Sequence, residues 1–248
     1  MMYERERRLL VETVRELEST DVLEVGGGAV GLRVSDDHAL VTPTGIPYRR
    51  WEIPAGELLV ADIRDGSIVE MGTRLGAAPT PMFLALLSAF PEIGAIIHGH
   101  PAWSLVYAAA GREVPAVTNA FDKISPVPLI HCDDATLKRQ YLETPWPVFY
   151  PESMLRRPDV AAVEAFMVEK ASAYFGPRRA ELAVHSLAFT MYRHGIVVAG
   201  NSLERAAADL AIIEANARTA WHVEAIQGRL DGQPLGDQAG SAPVGVGA

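Results

Sequence analysis

The chain has 248 residues, with 22 Lys and Arg against 31 Asp and Glu, which gives a formal net charge of −9. Hydrophobic residues make up 49% and charged residues 21%, the usage of a globular protein that can build a core without disulfide or metal staples. The acidic balance, with no basic stripe, argues against nucleic acid as a partner. The lone Cys132 excludes an intramolecular disulfide and suits a reducing compartment.

Residues 1–8 mix both charge signs and lead into an amphipathic stretch, where a signal peptide would need an apolar run. No apolar run reaches the ~18–20 residues of a membrane span. The expectation is a soluble, cytoplasmic protein with no membrane partner. Residues 1–230 are expected to form one domain, followed by a flexible Gly/Pro-rich tail over 231–248.

In chain order, Leu9, Leu10, Val11, Val14 and Leu17 predict a helix over residues 3–20 with one buried face. Strands are predicted over 39–42, 57–63 and 67–70, with Arg64-Asp65-Gly66 turning the last two into a hairpin. Thr80 to Phe90 reads as a helix with Pro81 in its first turn. Gly94 to His98 is a buried strand, and Pro101 to Ala110 a helix. Asp159 caps a helix from Val160 to about Tyr174. Strands follow over 187–193 and 196–199, with Gly195 between them. Ser202 then caps a long helix through Ile226, with Glu204 in its first turn. Interleaved strands and helices predict an α/β protein in layers.

Gly26-Gly27-Gly28-Ala29-Val30-Gly31 fits the spacing of a dinucleotide loop. That chemistry needs a helix N-terminus next, to receive the pyrophosphate. A strand-like stretch, Leu32 to Asp37, follows instead. The run is therefore read as a glycine-rich turn that lets backbone approach closely.

His98-Gly99-His100 closes the buried strand. Residues two apart on a strand share a face, so both imidazoles aim at one point. Neutral imidazole is a common ligand for zinc-like divalent ions. The alternative is two unrelated polar residues at a strand exit. A protein-held metal usually has a third anchor. His194, between two apolar runs and before Gly195, is the best candidate, and His131, beside Cys132 and Asp133, competes with it. His38, His185 and His222 lack supporting context.

These residues resemble the class II aldolase/adducin family, which includes fuculose-phosphate aldolase and ribulose-phosphate 4-epimerase, over roughly residues 5–226. Four landmarks in order carry the resemblance: a glycine turn ending in Arg33, Thr42-Pro43-Thr44-Gly45-Ile46-Pro47, His98-Gly99-His100, and Arg193-His194-Gly195. The resemblance implies a three-layer α/β/α sandwich with a central, mostly antiparallel mixed sheet. It also implies one divalent ion (Zn, or Fe, Mn or Co) on His98, His100 and His194. Substrate contacts would fall at Gly28, Thr44 and Gly45, in a homo-oligomer that is often a tetramer.

This sequence departs from the family in several places. The family's phosphate turn resembles Gly-Asn-x-Ser-x-Arg, whereas Gly28 to Arg33 reads Gly-Ala-Val-Gly-Leu-Arg and lacks both side-chain donors. Its Ser-Ser-Glu triplet aligns with Ala77-Ala78-Pro79, so the glutamate that would act as general base is absent. The tyrosine that protonates the leaving fragment falls near Asn119. The interval between His100 and His194 looks long, and Trp146 to Pro151 within it suggests a lid over an apolar pocket or an ordinary surface loop. Asp122, Asp133 and Glu164 are polar candidates for a replacement acid or base.

The expected function is therefore a divalent-metal-dependent carbon–carbon lyase, a decarboxylase or aldolase-like enzyme, acting on a small non-phosphorylated hydroxy- or oxo-acid. Decarboxylation suits the missing base. One alternative is a non-haem iron oxygenase on an aromatic or oxo-acid substrate, since three histidines leave coordination positions open. Another is a non-catalytic binding module, against which the retained histidines argue.

Overall fold

The computed structural model describes residues 1–24, 27–43, 50–74, 76, 80–124, 126–130 and 158–232, without the side chains of 158–166 and 229–232. Helix α1 (Glu4–Ser19) buries Leu10, Val11, Val14 and Leu17, which recur at helical spacing, while Leu9 faces water. Glu4 and Glu6 occupy its first turn, where the helix dipole favours negative charge. The chain continues through β1 (Gly28–Arg33), β2 (His38–Val41), β3 (Leu59–Asp62), β4 (Ile68–Glu70), α2 (Thr80–Ala89) and β5 (Ala95–Gly99). It then forms α3 (Ala102–Ala109), β6 (Leu129–Ile130), α4 (Pro158–Phe175), β7 (Leu187–Met191), β8 (Gly195–Gly200) and α5 (Leu203–Gly232).

Among the described residues the strands form one sheet in the order β4-β3-β2-β1-β5-β8-β7-β6. Every pairing is antiparallel except β6 with β7, which is parallel at one edge. Side chains alternate between two cores. Val30, Leu40, Ile97 and Val198 pack with α1, α3 and α5 on one face. Ala29, Val41, Ile96 and Val197 pack with α2 and α4 on the other. The result is the expected α/β/α sandwich around a mostly antiparallel, mixed sheet.

Several boundaries differ from expectation. The strand expected from Glu57 starts at Leu59, because Ala55–Glu57 form a short 3-10 turn. The strand expected to reach Arg193 ends at Met191, where the chain turns so that His194 N–H donates to the Met191 carbonyl at 3.0 Å. Ser202 does cap the last helix, its Oγ accepting from Arg205 N–H at 3.1 Å. That helix continues through Asp231 and Gly232, two residues into the expected tail. Residues 233–248 lie outside the described residues. The β6 strand carried no sequence signal, because two residues have no period.

The glycine run is a strand rather than a turn from Gly28 onward, and β2 follows it. No helix N-terminus is offered there to a pyrophosphate. Gly31 instead makes room for α2, since a Cβ on it would lie 3.0 Å from Phe83 Cδ2. Arg33, the last residue of that landmark, donates to the carbonyls of Leu87 in the last turn of α2 and of Ile93 (3.0 Å) just beyond that helix. It closes a helix end, five residues along the strand from the histidines' end of β1.

Candidate metal centre

β5 lies inside the sheet between β1 and β8, so the residues at its C-terminal end are flanked by backbone on both sides. His98 pairs with Ala29 of β1 and with Val197 of β8 and is 2% exposed. His100 follows just beyond the strand. His194 arrives from the β7–β8 hairpin, whose Met191–Gly195 pair closes a loop of Tyr192, Arg193 and His194. The three rings form a near-equilateral triangle with centroids 5.1 Å apart on each side. One ring nitrogen from each can be chosen so that all lie within 4.8 Å of one another.

Each ring is held in place. His98 Nδ1 is 2.9 Å from the Ile196 carbonyl, which can only accept. Nδ1 therefore carries the proton and Nε2 keeps its lone pair, the tautomer a metal ligand needs. His100 fits between two glycines. A Cβ on Gly27 would lie 2.8 Å from its Cε1, and one on Gly195 would lie 2.7 Å from its Cδ2 and 2.2 Å from the Gly99 carbonyl. Burial, together with the neighbouring His100, lowers the His98 pKa to about 3. Burial, then His98 and His100, pulls His194 well below its ordinary value. These two rings are therefore neutral at physiological pH and donate electron pairs. That donor set fits a divalent ion of the zinc type.

Around the triangle, the positions that differ from the family pattern are now located. Ala29, where the family has an amide donor, is fully buried and stands across from His98 on the neighbouring strand. Gly28 opens β1 opposite Gly99. With φ +130, it lies so close that a Cβ would meet the His98 carbonyl at 2.5 Å and the Trp51 ring at 3.0 Å. Packing under the site thus leaves no room for a side chain there. Thr44, Gly45, Ala77, Ala78, Pro79, His131, Asp133 and Trp146 to Pro151 lie outside the described residues, as does the Glu164 side chain. Asn119 and Asp122 are exposed.

The remaining described histidines are engaged elsewhere. His38 Nδ1 meets Tyr3 Oη at 2.7 Å, His185 stands 3.5 Å from Glu181, and His222 meets Trp221 edge-on and Trp103 at a tilt. Two residues outside the sequence motifs belong to the surroundings of the site. Arg50 is 5% exposed and Trp51 is fully buried. Only their adjacency just after the 42–47 motif marks them in the sequence, and it does not give their partners.

An α/β/α sandwich with three histidines gathered at the end of an inner strand defines the structural class. The family model described as Class II Aldolase and Adducin N-terminal domain matches residues 8–221. The chain belongs to that family. A stretch of 78 residues is 31% identical to L-ribulose-5-phosphate 4-epimerase UlaF of Salmonella paratyphi C, covering 32% of each chain, so this chain spans about a third of the curated relatives' length.

Solved structures agree on the fold. YgbL of Escherichia coli, for which aldolase, epimerase and decarboxylase stand as alternatives, superposes with a TM-score of 0.63 at 20% identity, over 90% of this chain and 91% of that one. A sugar-phosphate aldolase from Thermotoga maritima gives 0.63 at 16% identity, over 94% and 99%. No described helix is long and apolar enough to cross a membrane.

Proposed function

We propose that this chain is a divalent-metal-dependent carbon–carbon lyase, with His98, His100 and His194 as the metal ligands and a small, non-phosphorylated hydroxy- or oxo-acid as substrate. The convergence of the three imidazoles carries the reading. A divalent ion bound there supplies Lewis acidity, stabilising negative charge that develops on adjacent substrate oxygens. His98 presents Nε2 because Ile196 holds its Nδ1 proton. Gly27 and Gly195 leave His100 its slot.

Decarboxylation fits these surroundings better than retro-aldol cleavage. When the bond to a carboxylate breaks, CO2 leaves and the electron pair stays on carbon, so no base is needed to start the reaction. Retro-aldol cleavage needs a base first, and proline stands where the resemblance puts the glutamate. Ala29 and Gly31 offer no side-chain donor to a phosphate. Neither the fold nor the relatives named above gives the oxygenase alternative support. A cytoplasmic homotetramer in which residues 1–230 act as one domain completes the proposal. The preferred metal is zinc, with iron, manganese and cobalt as alternatives for elemental analysis.

The test is metal content together with CO2 release from a panel of 2-oxo and 2-hydroxy acids. Wild-type protein should hold about one divalent ion per chain. His98→Ala and His194→Ala should lose both the ion and turnover. Wild-type turnover that persists after complete metal removal would overturn the reading. Sedimentation of the same samples reads the subunit number.

A further inference from the structure

We propose that Arg50, together with Trp51, is a positioning residue for the metal site, an inference that rests on the metal reading above. The Arg50 side chain is buried, and its Nη1 donates to the Pro43 carbonyl at 2.8 Å. Its Nη2 donates to the Gly28 carbonyl. The guanidinium lies over the Trp51 ring, 5.0 Å from the centroid, a cation–π contact strengthened by burial. The Trp51 indole N–H donates to the Glu24 carbonyl at 2.9 Å. The pair therefore grips the glycine segment at Glu24 and again at Gly28.

Between those two grips stands Gly27, the residue against the His100 ring. Any shift of Glu24 or Gly28 moves the wall that sets the orientation of His100. Pro43 carries a second connection. It forms an isolated β-bridge with Gly76, immediately before residues 77–79. One guanidinium thus ties together three segments distant in sequence: 27–28, 43 and, through Pro43, 76. Of these, the family resemblance puts substrate contacts at Gly28 and at Thr44 and Gly45, which directly follow Pro43. A planar fork of five N–H donors can serve two carbonyls at fixed separation, whereas an ammonium is a point donor on a flexible stem.

The consequence is that the Arg50–Trp51 pair sets metal affinity and ligand geometry without touching the ion. The experiment is a Co2+ titration of the full chain, followed by visible absorption, for wild type, Trp51→Phe, Arg50→Lys and Arg50→Ala. Circular dichroism establishes which variants are folded. Trp51→Phe keeps an aromatic side chain but removes the indole donor to Glu24 together with the fused ring that packs on Gly28. It is expected to bind Co2+ at least ~10-fold more weakly, as outer-shell losses do, with altered d–d bands. Arg50→Lys is expected to fall between wild type and Arg50→Ala. Folded Trp51→Phe and Arg50→Lys chains with wild-type Co2+ affinity and spectrum would overturn the inference. A wild type that takes up no Co2+ would overturn the metal reading, and this inference with it.

Discussion

Gly195 and His100 are in contact across the β5–β8 ladder: a Cβ on Gly195 would stand 2.7 Å from His100 Cδ2 and 2.2 Å from the Gly99 carbonyl oxygen. The second clash is with backbone inside a sheet and cannot be relieved by a rotamer change. Gly195→Ala should therefore both destabilise the fold and displace the imidazole. Gly27→Ala shares the positive-φ strain of Gly195→Ala but meets the ring, at 2.8 Å from Cε1, instead of backbone, so it should lower metal affinity more relative to its loss of melting temperature than Gly195→Ala does. Losses of ~10–100-fold in affinity are expected, the scale of outer-shell changes at metal sites. Parallel thermal melts and metal titrations of the two variants separate the effects.

The neutral histidines predict acid sensitivity with a defined sign. His98 has a folded pKa of about 3, against roughly 6.5 in an unfolded chain. The unfolded chain binds the proton more readily, so its stabilising contribution is full above about 6.5 and is lost as pH falls toward about 3. His194 is shifted in the same direction by burial beside the other two rings. Metal-free protein should lose melting temperature progressively over that window, and His98→Phe should flatten the slope. A bound ion would be released over the acid side as well, because ligands must be deprotonated to bind. Melting curves in chelator from pH 8 to pH 4 check both effects.

Arg193, directly before His194, has φ +54. A left-handed backbone costs a residue with a Cβ on the order of 1 kcal/mol, while asparagine is more tolerant of it. The side chain is exposed, so its loss leaves no cavity. Arg193→Asn should therefore stabilise the fold by about 0.5–1 kcal/mol and leave metal content unchanged. Arg193→Gly should gain less, because glycine also adds entropy to the unfolded chain. Denaturant melts measure the order of the three chains.

The features legible in the sequence are those with a local period. His98 and His100 share a face because strands alternate, and the α1 and α2 stripes follow from helical spacing. His194 was legible as an imidazole at the junction of two apolar runs, which the hairpin then brought to β5. The roles of Arg33, Arg50 and Trp51 were not legible. Each donates to a main-chain carbonyl 22 to 60 residues away, and no periodicity encodes such a pairing. Helix α5 runs past its expected end at Ile226 as far as Gly232, with Gly228 inside it.

Glu214 illustrates the same gap and gives the last prediction. From α5 its carboxylate accepts from the backbone N–H groups of Trp103 and Ser104, both at 2.9 Å. These are orphan donors at the start of α3, where Pro101 supplies no side-chain cap. Burial raises the Glu214 pKa, with the hydrogen bonds opposing it. Glu214→Ala leaves two donors unpaired in a buried place and should cost ~1–3 kcal/mol. Because α3 begins two residues after His100, the loss should reach metal affinity too. Glu224 provides the contrast, since its ion pair with Arg112 lies on the surface. Glu224→Ala should cost no more than ~1 kcal/mol and leave metal binding intact. If the two variants prove equal in both stability and metal affinity, the capping role assigned to Glu214 is wrong.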